Sequence, residues 1–291
     1  IFGSNIEFFV GGGALLDIQQ QQFFKAIGVP VFQGYGLTEA TPIISTNTPF
    51  NHKMGTSGKV LDGVICKIYD DQGQELPQGQ KGEIVIQGDN VMKGYYKNEE
   101  ATKETIKNGW LHTGDLGYMD KDDFLVVVGR EKALLISDDG EKYSPEEIEE
   151  SLVNFSDLIF QVMIYNDHRK YTTALLTLNK KAIDNLISKE NITSAEKLLD
   201  RIHNEIKAFS NKDETKDKFP GKWLPNHFQI VEEDFSEENQ LINSTLKMVR
   251  HKITERYMDQ LELMYGSNAG EESKKSNLES LSRLFGSKLN S

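Results

Sequence analysis

A handful of short stretches in this chain set hydroxyl, carboxylate and guanidinium groups behind glycines. Gly34-Tyr35-Gly36-Leu37-Thr38-Glu39 surrounds an aromatic ring with glycines and ends in a hydroxyl and a carboxylate. Gly34 and Gly36 can let a ligand approach the backbone, and Tyr35 offers a flat face to a base. Thr38 can bond a phosphate oxygen, and Glu39 can hold Mg²⁺ directly or through water. A turn with a helix-capping Thr38 accounts for the same residues without any ligand. Thr113-Gly114-Asp115 can present a carboxylate to two ribose hydroxyls; the plainer reading is a surface Asp in a tight turn. Gly129-Arg130 brings a fork of donors suited to the same ribose or to a phosphate. The triplet Gly11-Gly12-Gly13 before Ala14 needs no ligand if it is a structural turn. Lys247 alone reads as an exposed helix lysine, and His112 as a packing residue rather than a ligand or base.

The elements that must position these groups change in kind along the chain. Residues 6–10 have strand character and run into the glycine triplet. Asp17 then caps a helix through Ala26, Phe23 and Phe24 reach a core, Gly28 closes the helix, and Pro30-Val31-Phe32 starts another strand. This α/β unit over 1–50 carries the Tyr35 motif at a strand's carboxyl end, where open α/β sheets bind ligands. Over 51–130 the pattern is all-β, with strands at 58–60, 64–69 and 82–88, and it suggests a small distorted β-barrel. A helical piece follows Gly94-Tyr95-Tyr96, and a strand over 124–128 delivers Gly129-Arg130. Residues 129–147 read as a junction, with a turn at Asp139-Gly140 and a helix start at Ser144-Pro145. Beyond it, a helix over 145–152, strands over 159–165, 173–178 and 228–231, and helices around 194–208 predict a compact α+β domain over 131–265. The charged stretch 211–222 is expected to be a solvated loop. Residues 266–291 are expected to be a polar tail with a short amphipathic helix packed on the protein.

Composition bounds these readings. The chain has 291 residues, 37% hydrophobic and 27% charged, enough for two domains with sizeable cores. Its net charge of -12 argues against nucleic-acid binding by the whole surface. The single cysteine, Cys66, lies in an apolar run, so no internal disulfide or thiolate metal cluster forms and a structural thiol is expected. No apolar run approaches about 18 residues and no signal peptide is visible, so a cytoplasmic protein is expected. Ile1-Phe2-Gly3 lacks an initiator methionine and leads straight toward a strand, which suggests a fragment whose upstream part is missing.

Together these segments resemble the adenylate-forming superfamily and, within it, the AMP-forming long-chain fatty acid–CoA ligases. The resemblance runs in order over residues 6–260. Gly12-Gly13-Ala14-Leu15 resembles the family's loop beside adenine and the acyl group. Tyr35-Gly36-Leu37-Thr38-Glu39 resembles its adenine-stacking, phosphate and magnesium motif, and Thr113-Gly114-Asp115 with Gly129-Arg130-Glu131-Lys132 its ribose-binding pair. Lys132 falls at the family's hinge. Asn243-Ser244-Thr245-Leu246-Lys247-Met248-Val249-Arg250 resembles the long-chain version of the terminal lysine motif, with Leu246 where the superfamily usually has glycine. The resemblance implies the end of a large nucleotide-binding domain over 1–130, then a small lid domain. It implies a catalytic role for Lys247, Thr38 and Glu39, the last also the metal ligand, and nucleotide contacts at Gly12, Gly13, Ala14, Gly34, Tyr35, Gly36, Thr38, Asp115 and Arg130. ATP, Mg²⁺ and CoA are the implied cofactors, with a fatty acid as substrate and peripheral membrane contact compatible with it. The family's Ser/Thr/Gly-rich phosphate loop is absent and is expected upstream of Ile1, so the chain as given is expected not to adenylate. An amino-acid adenylation module and a noncatalytic protein on the same fold are the alternatives.

Overall fold

The computed structural model describes residues 5–13 and 16–289, so Ala14 lies outside the described residues. The chain divides into two compact units, Ile1–Ala133 and Leu134–Ser291.

The first unit opens with β1 (Phe9–Gly11), α1 (Ile18–Ala26) and β2 (Val31–Gly36). Strands β1 and β2 pair in parallel, so α1 is the crossover that parallel pairing demands. Asp17 starts the helix by accepting a bond from the Gln19 amide at 2.7 Å, and Gly28 ends it with φ +85°. Phe24 packs edge-on against Phe9 at 5.9 Å, but Phe23 is 60% exposed, so only one of the two expected core aromatics turns inward. After a 3₁₀ turn at Thr38–Ala40, β3 (Ile43–Thr46) and β4 (Lys59–Val60) extend this sheet antiparallel in the order β1-β2-β3-β4.

The chain continues through β5 (Val64–Tyr69), β6 (Gly82–Gly88), α2 (Glu99–Thr105), β7 (Ile106–Lys107), β8 (Trp110–Met119) and β9 (Leu125–Arg130). These strands form an antiparallel sheet ordered β5-β6-β8-β7, with β9 also on β8. Ile84, Val85 and Ile86 of β6 are fully buried, and Ile84 and Ile86 join Ile44, Ile68, Leu111 and Leu125 in one core.

The second unit contains β10 (Leu135–Ser137), β11 (Lys142–Tyr143), α3 (Pro145–Phe155), β12 (Ile159–Tyr165), β13 (Asp167–Arg169) and β14 (Thr172–Leu178). It goes on through α4 (Lys180–Glu190), α5 (Ala195–Asn211), α6 (Asp213–Lys218), β15 (Pro225–Ile230), α7 (Arg250–Arg256), α8 (Met258–Leu263) and α9 (Ala269–Leu289). Strand β14 lies between antiparallel β12 and parallel β15, and every one of its residues is buried. Ala174 and Leu176 face a core with α3, α4, α5 and α9, while Leu175 joins Ile253 of α7 and Leu261 of α8 in a second core. The period of two along β14 thus supplies both cores.

Two sequence expectations fail here. The stretch 211–222 is not a solvated loop: it contains α6, and Thr215 and Phe219 are buried. The other is the extent of the helix expected in 266–291: α9 spans 21 residues, and it buries Leu281, Phe285 and Leu289 in the core of the second unit. Its Asn277 accepts the Ile230 amide at 2.7 Å and donates to the Phe228 carbonyl at 3.0 Å, completing the backbone bonding of β15. Sparse apolar residues on a polar helix concealed this anchoring role. Phe285→Ala is expected to lower unfolding stability by about 3–5 kcal/mol, read as a shifted urea midpoint. An unchanged midpoint would show that α9 does not hold the unit together.

Candidate nucleotide site

The first unit brings Tyr35, Asp115 and Arg130 together. Asp115 on β8 lies opposite Arg130 on β9, and the Arg130 Nε stands 3.0 Å from Asp115 Oδ1. Tyr35, from the end of β2 in the other sheet, donates its hydroxyl to Asp115 Oδ2 at 2.7 Å. The carboxylate is buried while the Arg130 side chain is 61% exposed, so the guanidinium connects a buried anion to solvent. Burial, then the charge of Asp115, raises the Tyr35 phenol well above its usual range and keeps it a neutral donor. Asp115 is therefore not a surface residue, and both its oxygens already have partners.

The turn before it is fixed as firmly. Gly114 adopts φ +66°, which favours glycine. Thr113 donates its hydroxyl to the Ile84 carbonyl at 2.6 Å and accepts the Asp115 amide at 3.1 Å. Glu83 of β6 accepts the Gly114 amide at 3.1 Å on one oxygen and stands 2.7 Å from His112 Nδ1 with the other. His112 thus braces the Asp115 turn, beyond the packing role expected of it. A carboxylate directly before the apolar run Ile84-Val85-Ile86 of β6 was the available signal for Glu83.

Gly36 owes its identity to the chain itself: a Cβ there would lie 1.7 Å from the Pro42 carbonyl oxygen, and one on Gly34 would press the Ser45 carbonyl at 3.1 Å. Their missing side chains admit the neighbouring backbone rather than a ligand. Gly12 and Gly13 differ, because a Cβ on either meets no atom within 4 Å among the described residues; Gly13 has φ +90°.

Thr38 and Glu39 occupy the 3₁₀ turn after β2. The segment after β6 grips this turn: Met92 donates its amide to the Glu39 carbonyl at 2.8 Å, Asn90 donates to the Ala40 carbonyl at 3.1 Å, and Thr41 donates to the Asn90 carbonyl at 2.7 Å. Tyr95 donates its hydroxyl to Glu39 Oε1 at 2.8 Å. Nothing local in Gly94-Tyr95-Tyr96 foretold that contact. Among the described residues no group of three or more His, Cys, Asp or Glu forms a metal cluster. The Cys66 thiol is pushed up to about 12 by burial, in keeping with a packing role.

Lys247 belongs to the second unit and sits on an exposed tight loop before α7, not on a helix. Asn243 organises that loop, its Oδ1 accepting the Thr245 amide at 3.0 Å and the Lys247 amide at 2.9 Å. Leu246 takes φ +61° and is 79% exposed. Three residues on, Arg250 pairs with buried Glu149 of α3, whose other oxygen accepts the Ile164 amide at 2.7 Å. The loop is thereby tied to the unit's core. Lys132 lies in a 3₁₀ turn, Glu131–Ala133, at the end of the first unit.

A buried carboxylate held between an aromatic hydroxyl and a guanidinium, with a second carboxylate on the turn after β2, is the arrangement of polar groups that the first unit offers. The AMP-binding enzyme family model matches residues 2–96. A chloroplastic long-chain-fatty-acid–[acyl-carrier-protein] ligase of Arabidopsis thaliana is 31% identical over 268 residues, covering 88% of this chain and 35% of the relative. A long-chain-fatty-acid–CoA ligase of Homo sapiens is 30% identical over 275 residues, covering 87% of this chain and 37% of the relative. Among solved structures, o-succinylbenzoate coenzyme A synthetase of Bacillus subtilis, in complex with ATP and magnesium ion, superposes with a TM-score of 0.65. It shows 29% identity and covers 85% of this chain and 46% of that one. The chain belongs to the adenylate-forming superfamily. It spans little more than a third of the length of these two curated relatives.

The left-handed backbone at an exposed leucine stores strain of about 1–2 kcal/mol that glycine would relieve. Leu246→Gly is expected to raise unfolding stability by about 1 kcal/mol in urea titration. A loss instead would mean that the leucine side chain makes a compensating contact.

Proposed function

We propose that the protein containing this chain activates a long-chain fatty acid through its adenylate and passes the acyl group to the thiol of CoA. The observation that carries this reading is the buried Asp115 carboxylate between Tyr35 and Arg130. Ribose hydroxyls would replace these two partners on the carboxylate, leaving the Tyr35 ring for the base and Arg130 for ribose or phosphate. Gly12 and Gly13, where a Cβ meets no atom within 4 Å among the described residues, would border the nucleotide. Thr38 would bond a phosphate oxygen.

Glu39 suits Mg²⁺ because that ion takes one or two protein carboxylates and completes its shell with phosphate oxygens and water. A single carboxylate without a three-ligand cluster among the described residues is such a donor set. When bound, the ion would offset charge on the transferring phosphates. The fatty carboxylate oxygen attacks the α-phosphorus, the bond to pyrophosphate breaks, and the Lys247 ammonium neutralises charge developing between carboxylate and phosphate. Lys132 is the hinge about which the second unit then moves. The segment 136–143 would next border the thiol's approach; sulfur attacks the acyl carbon, AMP leaves, and the thiol proton passes to solvent.

A second reading of the acceptor is favoured by the Arabidopsis relative, described as a ligase to acyl carrier protein. There the thiol is a carrier-bound phosphopantetheine in place of CoA. No helix among the described residues is long and apolar enough to cross a membrane, so any membrane contact by this chain's helices would be peripheral. Because the chain covers 37% or less of those two curated relatives, we also propose that it does not adenylate alone.

Fatty-acid-dependent ATP–pyrophosphate exchange in the natively expressed protein tests the first step. Exchange strongest with long acids, about a hundredfold weaker in Lys247→Ala and absent from this chain alone, is the expected result. Absence of exchange with every acid would overturn the ligase reading. In acyl transfer, Lys132→Pro should block thioester formation while sparing exchange, and the preferred thiol, free CoA or carrier-bound, decides the acceptor.

A further inference from the structure

The segment between β6 and α2 is bonded to the Glu39 turn at several points, and one of these reaches the carboxylate itself. The Met92, Asn90 and Thr41 bonds join backbone to backbone or side chain to backbone, and they hold the path of the turn. The Tyr95 hydroxyl instead ends on Glu39 Oε1, at 2.8 Å. Tyr95 is 37% exposed, so its ring adds little to the core. Its backbone is fixed from the other side: the Thr102 hydroxyl of α2 accepts the Tyr95 amide at 2.9 Å, and a Cβ on Gly94 would lie 2.7 Å from Thr102. The phenol is therefore delivered to the carboxylate by a rigid support. A carboxylate oxygen that accepts a neutral O–H stays anionic, and the bond restricts the rotation of its side chain.

We infer that Tyr95 is a positioning residue for the Glu39 carboxylate, orienting it toward a divalent cation that arrives with the nucleotide phosphates. This inference rests on the reading of Glu39 as the metal ligand. Tyr95 touches neither nucleotide nor metal in it; the phenol acts only through Glu39. A tyrosine hydroxyl is a neutral donor at neutral pH, so the bond to Glu39 Oε1 needs no change of charge.

The test is calorimetric titration of the natively expressed protein with ATP at rising Mg²⁺, beside titration with AMP in chelator. Tyr95→Phe keeps the ring and removes the bond. About tenfold more Mg²⁺ for half-saturation, with metal-free AMP affinity unchanged, is the expected result, since a hydrogen bond to a charged group carries that much. Thr41→Val loosens the same junction without touching the carboxylate and should leave the Mg²⁺ requirement unaltered. An equal shift in Thr41→Val would reduce the effect to general loosening and overturn the inference. Glu39→Gln separates the two readings. If Glu39→Gln raises the Mg²⁺ requirement while Tyr95→Phe does not, Tyr95 has no positioning role and the metal reading stands. If Glu39→Gln changes nothing, or the unsubstituted protein shows no Mg²⁺ dependence, the metal reading falls and this inference with it.

Discussion

A single buried carboxylate governs the layout of the first unit. Removing an anion from water is costly unless it is bonded, and Asp115 meets that demand with a phenol from one sheet and a guanidinium from its own. The same bonds therefore join β2 to β8 and fix the end of β9. Around it, Glu83 and Thr113 hold the turn at Gly114 in a conformation that an L side chain resists. Fold and site are not separate achievements here: the groups that would meet a ribose are also those that satisfy the buried charge in its absence.

The second unit is built on a different economy of contacts. Strand β14 is buried on both faces, and its threonines lie inside because their hydroxyls reach neighbouring oxygens, as Thr172 does with the Lys222 carbonyl at 2.9 Å. Lys222 and Trp223 also brace the 135–143 hairpin: Lys222 pairs with Asp139 and Glu141, and Trp223 stacks on Tyr143 at 5.0 Å. The Asn243 loop is held by its own amide bonds and by Arg250 on Glu149. A flexible lysine side chain is thus displayed from a firmly held backbone.

Much of this was legible because glycines, caps and alternating strands leave local marks. Asp17 and Gly28 bounded α1 as read, and the strand around Phe124–Val128 does deliver Arg130. The pairing of Tyr35 with Asp115 was not legible, since those residues are 80 apart in sequence and only the folded sheets unite them. Tyr95 was overlooked for the same reason. Gly34 and Gly36 were noticed for ligand access, yet the neighbouring strand explains them, because a glycine records close approach without naming what approaches. The helix α9 was read too short because serine, lysine and glutamate separate the few apolar residues that anchor it.

The chain's lone cysteine has a practical consequence for studying these units. Burial pushes the Cys66 thiol well up from its usual range, which disfavours the reactive thiolate near neutral pH. Alkylating and maleimide reagents are expected to modify it more slowly than an exposed thiol. A reporter cysteine introduced at an exposed position of either unit can therefore carry a fluorophore or spin label selectively, with the native residue left in place.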